Sequence, residues 1–233
     1  MALESKGTLW GVSTGPGEAE LMTLKAKRVI EAAPVIAAPV TRGGATVALD
    51  IARQVCDLSG KKIVEVRFSM SKDAAIRAAE HEQVVDTLCA ELSTGHDVAL
   101  LQLGDASIFA TYQRIAPAVR ERGFEAHAVA GVPSFCAIAA ATDRDLTPQM
   151  SSPLHVVPAG YGDLSSVLAL PGGKVVMKAG RSLAQTKEQL RNAGLLEQAT
   201  MVSNCGLPGE QAFASLADAP DEGASYFSTI IVS

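Results

Sequence analysis

Aromatic side chains are scarce in this sequence: Phe, Trp and Tyr together make up 4% of its 233 residues. Ala, Val, Leu and Ile must therefore fill the interior, as in α/β proteins whose small-residue helices pack on Val/Ile-rich strands. The four cysteines, at 56, 89, 136 and 205, form no C-x-x-C pair, so no metal site and no redox couple is expected. Buried free thiols in a reducing cytoplasm are expected instead. Basic excess is missing too: the net charge is −5, which argues against nucleic acid as a partner. The densest basic stretches, Lys25 to Arg28 and Lys61 with Lys62, are short and read as solvated faces. No run of about 18 apolar residues is present to cross a membrane. No basic segment followed by an apolar run and a cleavage site opens the chain, so a cytoplasmic protein is expected. What remains is 48% hydrophobic and 19% charged, a folded chain long enough for one large domain or two modest ones.

Strand-like and helix-like segments alternate along the chain. Strands are predicted at Thr8 to Val12, Val35 to Ala38, Ile63 to Val66, Asp97 to Leu103 and Ala126 to Ala130. More follow near 154–157, 174–178, 199–203 and 226–232. Helices are predicted around Leu21 to Ile30, Thr46 to Cys56, from Ala74 to the stop signal at Gly95, up to Arg120, up to Ala141, and over 164–168 and 182–193. The run from Asp97 to Leu103 is almost wholly apolar, as in a central strand covered on both faces. The pattern restarts near Gly123, which predicts two α/β domains, residues 1–121 and 122–233. No internal repeat is visible.

Three small-residue turns follow predicted strands: Gly11 to Gly17, Gly104-Asp105, and Gly131 to Ser134. In open α/β sheets, ligands gather at the carboxyl ends of strands, where such turns let backbone approach them. The first turn does not fit a dinucleotide fingerprint, because its glycines are misplaced and Pro16 lacks an amide proton. No nucleotide P-loop occurs, and the four histidines (His81, His96, His127, His155) are isolated. With no Ser-His-Asp arrangement either, the residues suit a reaction governed by binding and orientation.

Gly15-Pro16-Gly17-Glu18-Ala19-Glu20-Leu21-Met22-Thr23-Leu24-Lys25-Ala26 resembles the G-P-G-D-P-E-L-L-T-L-K-A opening of the tetrapyrrole (cobalamin/sirohaem) methyltransferases. Leu103-Gly104-Asp105 with Ile108-Phe109 resembles that family's G-D-P loop, and Gly131-Val132-Pro133-Ser134-Phe135 its third turn. The run Tyr226-Phe227-Ser228-Thr229-Ile230-Ile231-Val232 resembles its closing strand. Within the family, Met177-Lys178-Ala179-Gly180-Arg181, Asn204-Cys205-Gly206-Leu207-Pro208 and Tyr226 to Thr229 are most similar to precorrin-2 C20-methyltransferases. Ser13, Glu18, Ala106 and Pro133 depart from the usual Gly, Asp, Pro and Thr/Ser, and Pro39 stands where sirohaem-type relatives carry an Asp.

The resemblance implies two α/β domains with a ligand cleft between them, commonly as a homodimer. It implies S-adenosylmethionine as methyl donor, S-adenosylhomocysteine as product, and C20 methylation of precorrin-2 to precorrin-3A in cobalamin biosynthesis. Alternatives are the cobalt-factor II C20-methyltransferase of the anaerobic pathway or another tetrapyrrole methylase. By motif, Pro16, Leu103, Gly104, Asp105, Ile108, Phe109, Pro133, Ser134, Met177, Cys205 and Thr229 are expected around the donor. Asp105, Tyr112 and Tyr226 are the candidate catalytic groups. The implied substrate carries many carboxylates, so Arg42, Lys72, Arg114, Lys178 and Arg181, with Met70 in the 67–73 loop, are candidate contacts. Rival readings are an RNA methyltransferase or diphthine synthase sharing the opening motif, a nonenzymatic metabolite-binding module, and a nicotinamide dehydrogenase. The acidic charge weighs against the RNA enzyme, and Pro16 against the dehydrogenase.

Overall fold

The computed structural model describes residues 6–41, 43–68 and 73–233, apart from the side chain of Gln149. The chain divides into two compact units, Met1–Pro133 and Ser134–Ser233.

The first unit carries strands β1 (Thr8–Ser13), β2 (Val35–Val40), β3 (Lys62–Arg67), β4 (Val98–Gln102) and β5 (Glu125–Val129). Its helices are α1 (Leu24–Ala32), α2 (Val47–Val55), α3 (Ala74–Ser93) and α4 (Tyr112–Glu121). The five strands form one parallel sheet in the order β3-β2-β4-β1-β5. Alternation along β4 explains why its sequence is apolar throughout. Val98 and Leu100 face a cluster with α3 and α4, while Ala99 and Leu101 face one with α1 and α2. Helix α1 begins later than its apolar spacing predicts, at Leu24, because the Thr23 hydroxyl accepts from the Ala26 amide and caps it there.

The second unit holds α5 (Ser134–Ala141), β6 (Leu154–Pro158), α6 (Leu164–Leu168), β7 (Gly173–Met177), α7 (Leu183–Asn192), β8 (Ala199–Ser203), β9 (Gln211–Phe213) and β10 (Ser228–Val232). Its sheet runs β6-β7-β10-β8-β9, with β6 and β7 parallel and the remaining pairs antiparallel. Its core joins Val176, Met201 and Ile230 of the sheet to Leu164, Leu183 and Leu190 of the helices. On α7, the buried Lys187 ammonium is satisfied by the Ala219 carbonyl (2.6 Å) and the Asp221 carboxylate (2.7 Å).

Two expectations need correction. The boundary falls after Pro133 instead of after residue 121, because β5, read as the start of a second domain, pairs with β1 from Thr8↔Glu125 to Val12↔Val129. The closing strand begins at Ser228, and Tyr226 and Phe227 form a turn before it.

Candidate active site

Strand order makes the first site. Strands β4, β1 and β5 are neighbours, so the three small-residue turns leave the same end of the sheet side by side. The first two turns are joined by backbone: the Gly104 amide donates to the Gly15 carbonyl at 2.8 Å, and the Thr14 amide to that of Gln102 at 2.9 Å. The Gln102 side chain then fixes the start of α4, its carbonyl oxygen accepting from the Thr111 hydroxyl (3.0 Å) and the Tyr112 amide (3.2 Å).

Two side chains tie in the third turn. The buried Ser13 hydroxyl donates to the Val129 carbonyl (2.6 Å) and accepts from the Ala106 amide (2.9 Å). One Asp105 oxygen accepts from the Gly131 amide at 2.7 Å; the other accepts from the Ser107 amide at 2.8 Å and from the Ser107 hydroxyl. Burial pushes the Asp105 pKa up, but these donors outweigh it, and the carboxyl is held below the ordinary aspartate range. Asp105 is thus a fixed anion that clasps two turns. From the opening motif, the Thr23 hydroxyl donates to the Ala130 carbonyl at 3.3 Å, so α1 is anchored on the third turn as well.

Glycine is required at two of these corners for different reasons. A β-carbon at Gly131 would overlap the Ser13 side chain and crowd the Gly104 carbonyl oxygen. Gly104 has φ +76°, and a β-carbon there would meet nothing within 4 Å. Open space therefore lies over Gly104, beside a fixed negative charge. Pro16, which follows the Gly15 bonded to Gly104, is buried; Leu103, Ile108 and Pro133 are half-buried, and Phe109 is exposed with φ +48°.

Tyr112 must be corrected. It is 2% exposed, and its ring lies in the cluster between the sheet and α3/α4, against Gly11 of β1. Its buried hydroxyl has no hydrogen-bond partner among the described residues, and burial raises its pKa. A phenol so placed accepts no proton from a ligand; it is a core residue. Arg114 is exposed on α4 and close enough to His81 on α3 to help burial lower that imidazole's pKa. Arg42, Met70 and Lys72 lie outside the described residues.

In the second unit, β7 and β8 end, and β10 begins, at the same edge of the sheet. Met177 pairs with Thr229 there, with buried Cys205 just beyond β8 and half-buried Ser134 opening α5. Lys178 follows with φ +60°, and the Gly180 backbone lies so close to the Ser225 carbonyl that a methyl would overlap it. This close approach brings Lys178, Arg181 and Tyr226 together, with Lys178 Nζ 5.7 Å and Arg181 Cζ 5.6 Å from the Tyr226 ring centre.

Sequence reasoning missed the tying groups. Ser13 stood out only as a departure from glycine, which was itself a signal that a hydroxyl is used there. Gln102 and Ser107 carried no signal although their side chains act on near neighbours, and the buried Ser203–Ser228 hydroxyl pair (2.6 Å) carried none because its partners are distant in sequence. A shallow hollow between Trp10, Arg28, Val29 and Asp97 lies toward the amino ends of the first unit's strands, away from the turns. The strand-end geometry, with its open glycine and fixed carboxylate, is the better site.

The sequence profile of the Tetrapyrrole (Corrin/Porphyrin) Methylases matches residues 8–220. The chain is 38% identical to the cobalt-precorrin-2 C(20)-methyltransferase of Salmonella typhimurium, over 97% of this chain and 96% of that one. Its fold is similar to that of a cobalt precorrin-4 methyltransferase (TM-score 0.77, 18% identity, covering 96% of this chain and 93% of that one). It is also similar to the uroporphyrin-III C-methyl transferase of Thermus thermophilus complexed with S-adenyl homocysteine (TM-score 0.72, 22% identity, 97% of both chains).

Proposed function

The chain belongs to the tetrapyrrole (corrin/porphyrin) methylase family, and on that footing we propose that it methylates C20 of precorrin-2 in cobalamin biosynthesis, using S-adenosylmethionine. The near-full-length likeness to the Salmonella C(20)-methyltransferase carries this reading.

The residues fit such a donor. The space over Gly104 admits a ligand against the backbone, and Asp105 supplies a fixed negative charge beside it. In the first unit Pro16, Leu103, Gly104, Asp105, Ile108, Phe109 and Pro133 are the proposed donor contacts. In the second unit the proposal keeps Ser134, Met177, Cys205 and Thr229. When bound, the donor supplies a methyl group on a sulfonium, an electrophile that needs no acid to activate it. Asp105 complements positive charge electrostatically and, with its pKa depressed, is a poor general base. Its clasp on Gly131 holds the turns in one arrangement before any ligand arrives, so little ordering is left for binding to impose. Arg114 remains a proposed substrate contact, and homodimerisation and a cytoplasmic setting belong to the same reading.

The test is to incubate the protein with methyl-labelled donor and precorrin-2 and locate the new methyl by carbon NMR. Label at C20 is expected; label at another ring carbon, or no transfer, overturns the proposal. The Salmonella relative is named for the cobalt-loaded macrocycle, which favours a second reading. Competition between metal-free and cobalt-loaded precorrin-2 for one labelled donor separates the two.

A further inference from the structure

We propose that Ser13 and Gln113 are positioning residues for the methyl donor: between them they grip both backbone groups of Ala106, and so fix the direction in which Asp105 presents its carboxylate. The inference rests on the methylation reading for its ligand, and on geometry for the grip. The Ala106 amide donates to the Ser13 hydroxyl at 2.9 Å, and the Ala106 carbonyl accepts from Gln113 Nε2 at 2.9 Å. The Ala106 methyl is held too, 1% exposed in the cluster between the sheet and α3/α4. One residue of the turn is thus tied by β1, by α4 and by the core.

A peptide group is planar, so holding one of its polar atoms orients the other. The plane that Gln113 holds by the Ala106 carbonyl also carries the Ser107 amide, which donates to one Asp105 oxygen at 2.8 Å. The plane that Ser13 holds by the Ala106 amide also carries the Asp105 carbonyl, which accepts from the Ile108 amide at 3.3 Å and closes the turn. Both flanks of the carboxylate are therefore set from behind. The roles at Ser13 follow from its single proton, which goes to the Val129 carbonyl at 2.6 Å and leaves a lone pair for the Ala106 amide. Ser13 is fully buried as the last residue of β1. Gln113 stands in the first turn of α4, where side chains lean toward the helix N-terminus and reach back over the turn. That start of α4 is itself held by Gln102. Both supports stand on regular elements and act on Asp105 through Ala106.

Gln113→Met, made on the full chain, removes the donated bond while keeping the side chain's length and adding no charge. Gln113 is exposed, so folding is safe. Ser13→Ala removes the other tie but strands the Val129 carbonyl and the Ala106 amide in the core, so the decision rests on Gln113→Met. Two readouts are taken: the Asp105 carboxyl titration by carbon NMR on the unliganded protein, and the calorimetric Kd for S-adenosylhomocysteine. Burial raises the Asp105 pKa, and the Ser107 and Gly131 donors bring it below the ordinary range. Once the Ser107 amide is no longer aimed, the carboxyl must titrate higher. In Gln113→Met the titration should move up toward the ordinary aspartate range and Kd should weaken about threefold to tenfold, with the melting temperature close to wild type. A merely structural contact would lower the melting temperature and leave the titration in place. An unchanged titration, or an unchanged Kd, overturns the proposal. Should the wild-type protein bind no S-adenosylhomocysteine, the methylation reading falls by itself. The titration then decides the grip alone: an upward move in Gln113→Met supports it, and a wild-type curve refutes it.

Discussion

The two units end their sheets with different chemistry. In the first, glycine turns are tied by a hydroxyl and a carboxylate, so the strand-end surface is backbone around one fixed anion. In the second, long cationic side chains lean on an aromatic ring. A parallel sheet sends consecutive turns out of one edge, whereas a mixed sheet brings strand ends and strand starts together. The first arrangement is the one that suits the proposed sulfonium donor. The contrast lies in what holds each strand end together: backbone and short polar side chains in the first unit, long side chains on an aromatic ring in the second.

The largest effect should come from Gly131→Val. Its new side chain must displace Ser13 and the Gly104 carbonyl, costing about 3 kcal/mol of stability. Thermal melting reads this, and calorimetry should show donor-product binding abolished. A variant that melts and binds like wild type would break the claim that these turns touch. Asp105→Asn comes next, at about 1–3 kcal/mol, because an amide turned toward either the Ser107 or the Gly131 donor opposes it N–H to N–H. Its pH profile sharpens the comparison. A carboxylate with a depressed folded-state pKa stabilises fully above its unfolded value, and that contribution disappears as pH falls through the depressed one. Acid melting curves should therefore show wild type losing stability below the ordinary aspartate range, with that component missing in Asp105→Asn.

Smaller effects probe single residues. Phe109→Gly relieves a positive φ that a bulky residue tolerates poorly, while adding chain entropy to the unfolded state. Stability should rise by about 1 kcal/mol or less, and affinity for S-adenosylhomocysteine should fall. Gain in both would remove Phe109 from the donor contacts. Tyr112→Phe removes only an unpartnered buried hydroxyl, so turnover should be unchanged and stability within about 0.5 kcal/mol of wild type. A large drop in kcat would return Tyr112 to the chemistry.

Legibility followed the range of the physics. Strand β4 was visible because covering both faces demands an apolar run, and the glycine turns because backbone approach demands small residues. The domain boundary was not, since the alternation in residues 125–129 reports a strand without naming its partner. Strand β9 is three residues on a sheet edge, too short for periodicity to register. Tyr112 misled for a related reason: its place just after the loop suggested the site, but only the packing against Gly11 decides which way the ring points. The site's donors were legible as motifs, whereas the hydroxyls that tie them, Ser13 and the Ser203–Ser228 pair, act across 116 and 25 residues of sequence.

On the proposed function, the three turns of the first unit form one donor-binding surface. Titrating isotope-labelled protein with S-adenosylhomocysteine and following backbone amide shifts tests it directly. The largest shifts are expected together at Gly104, Asp105, Ala106 and Gly131. Shifts centred on Trp10 and Asp97, with those four amides unmoved, would contradict it.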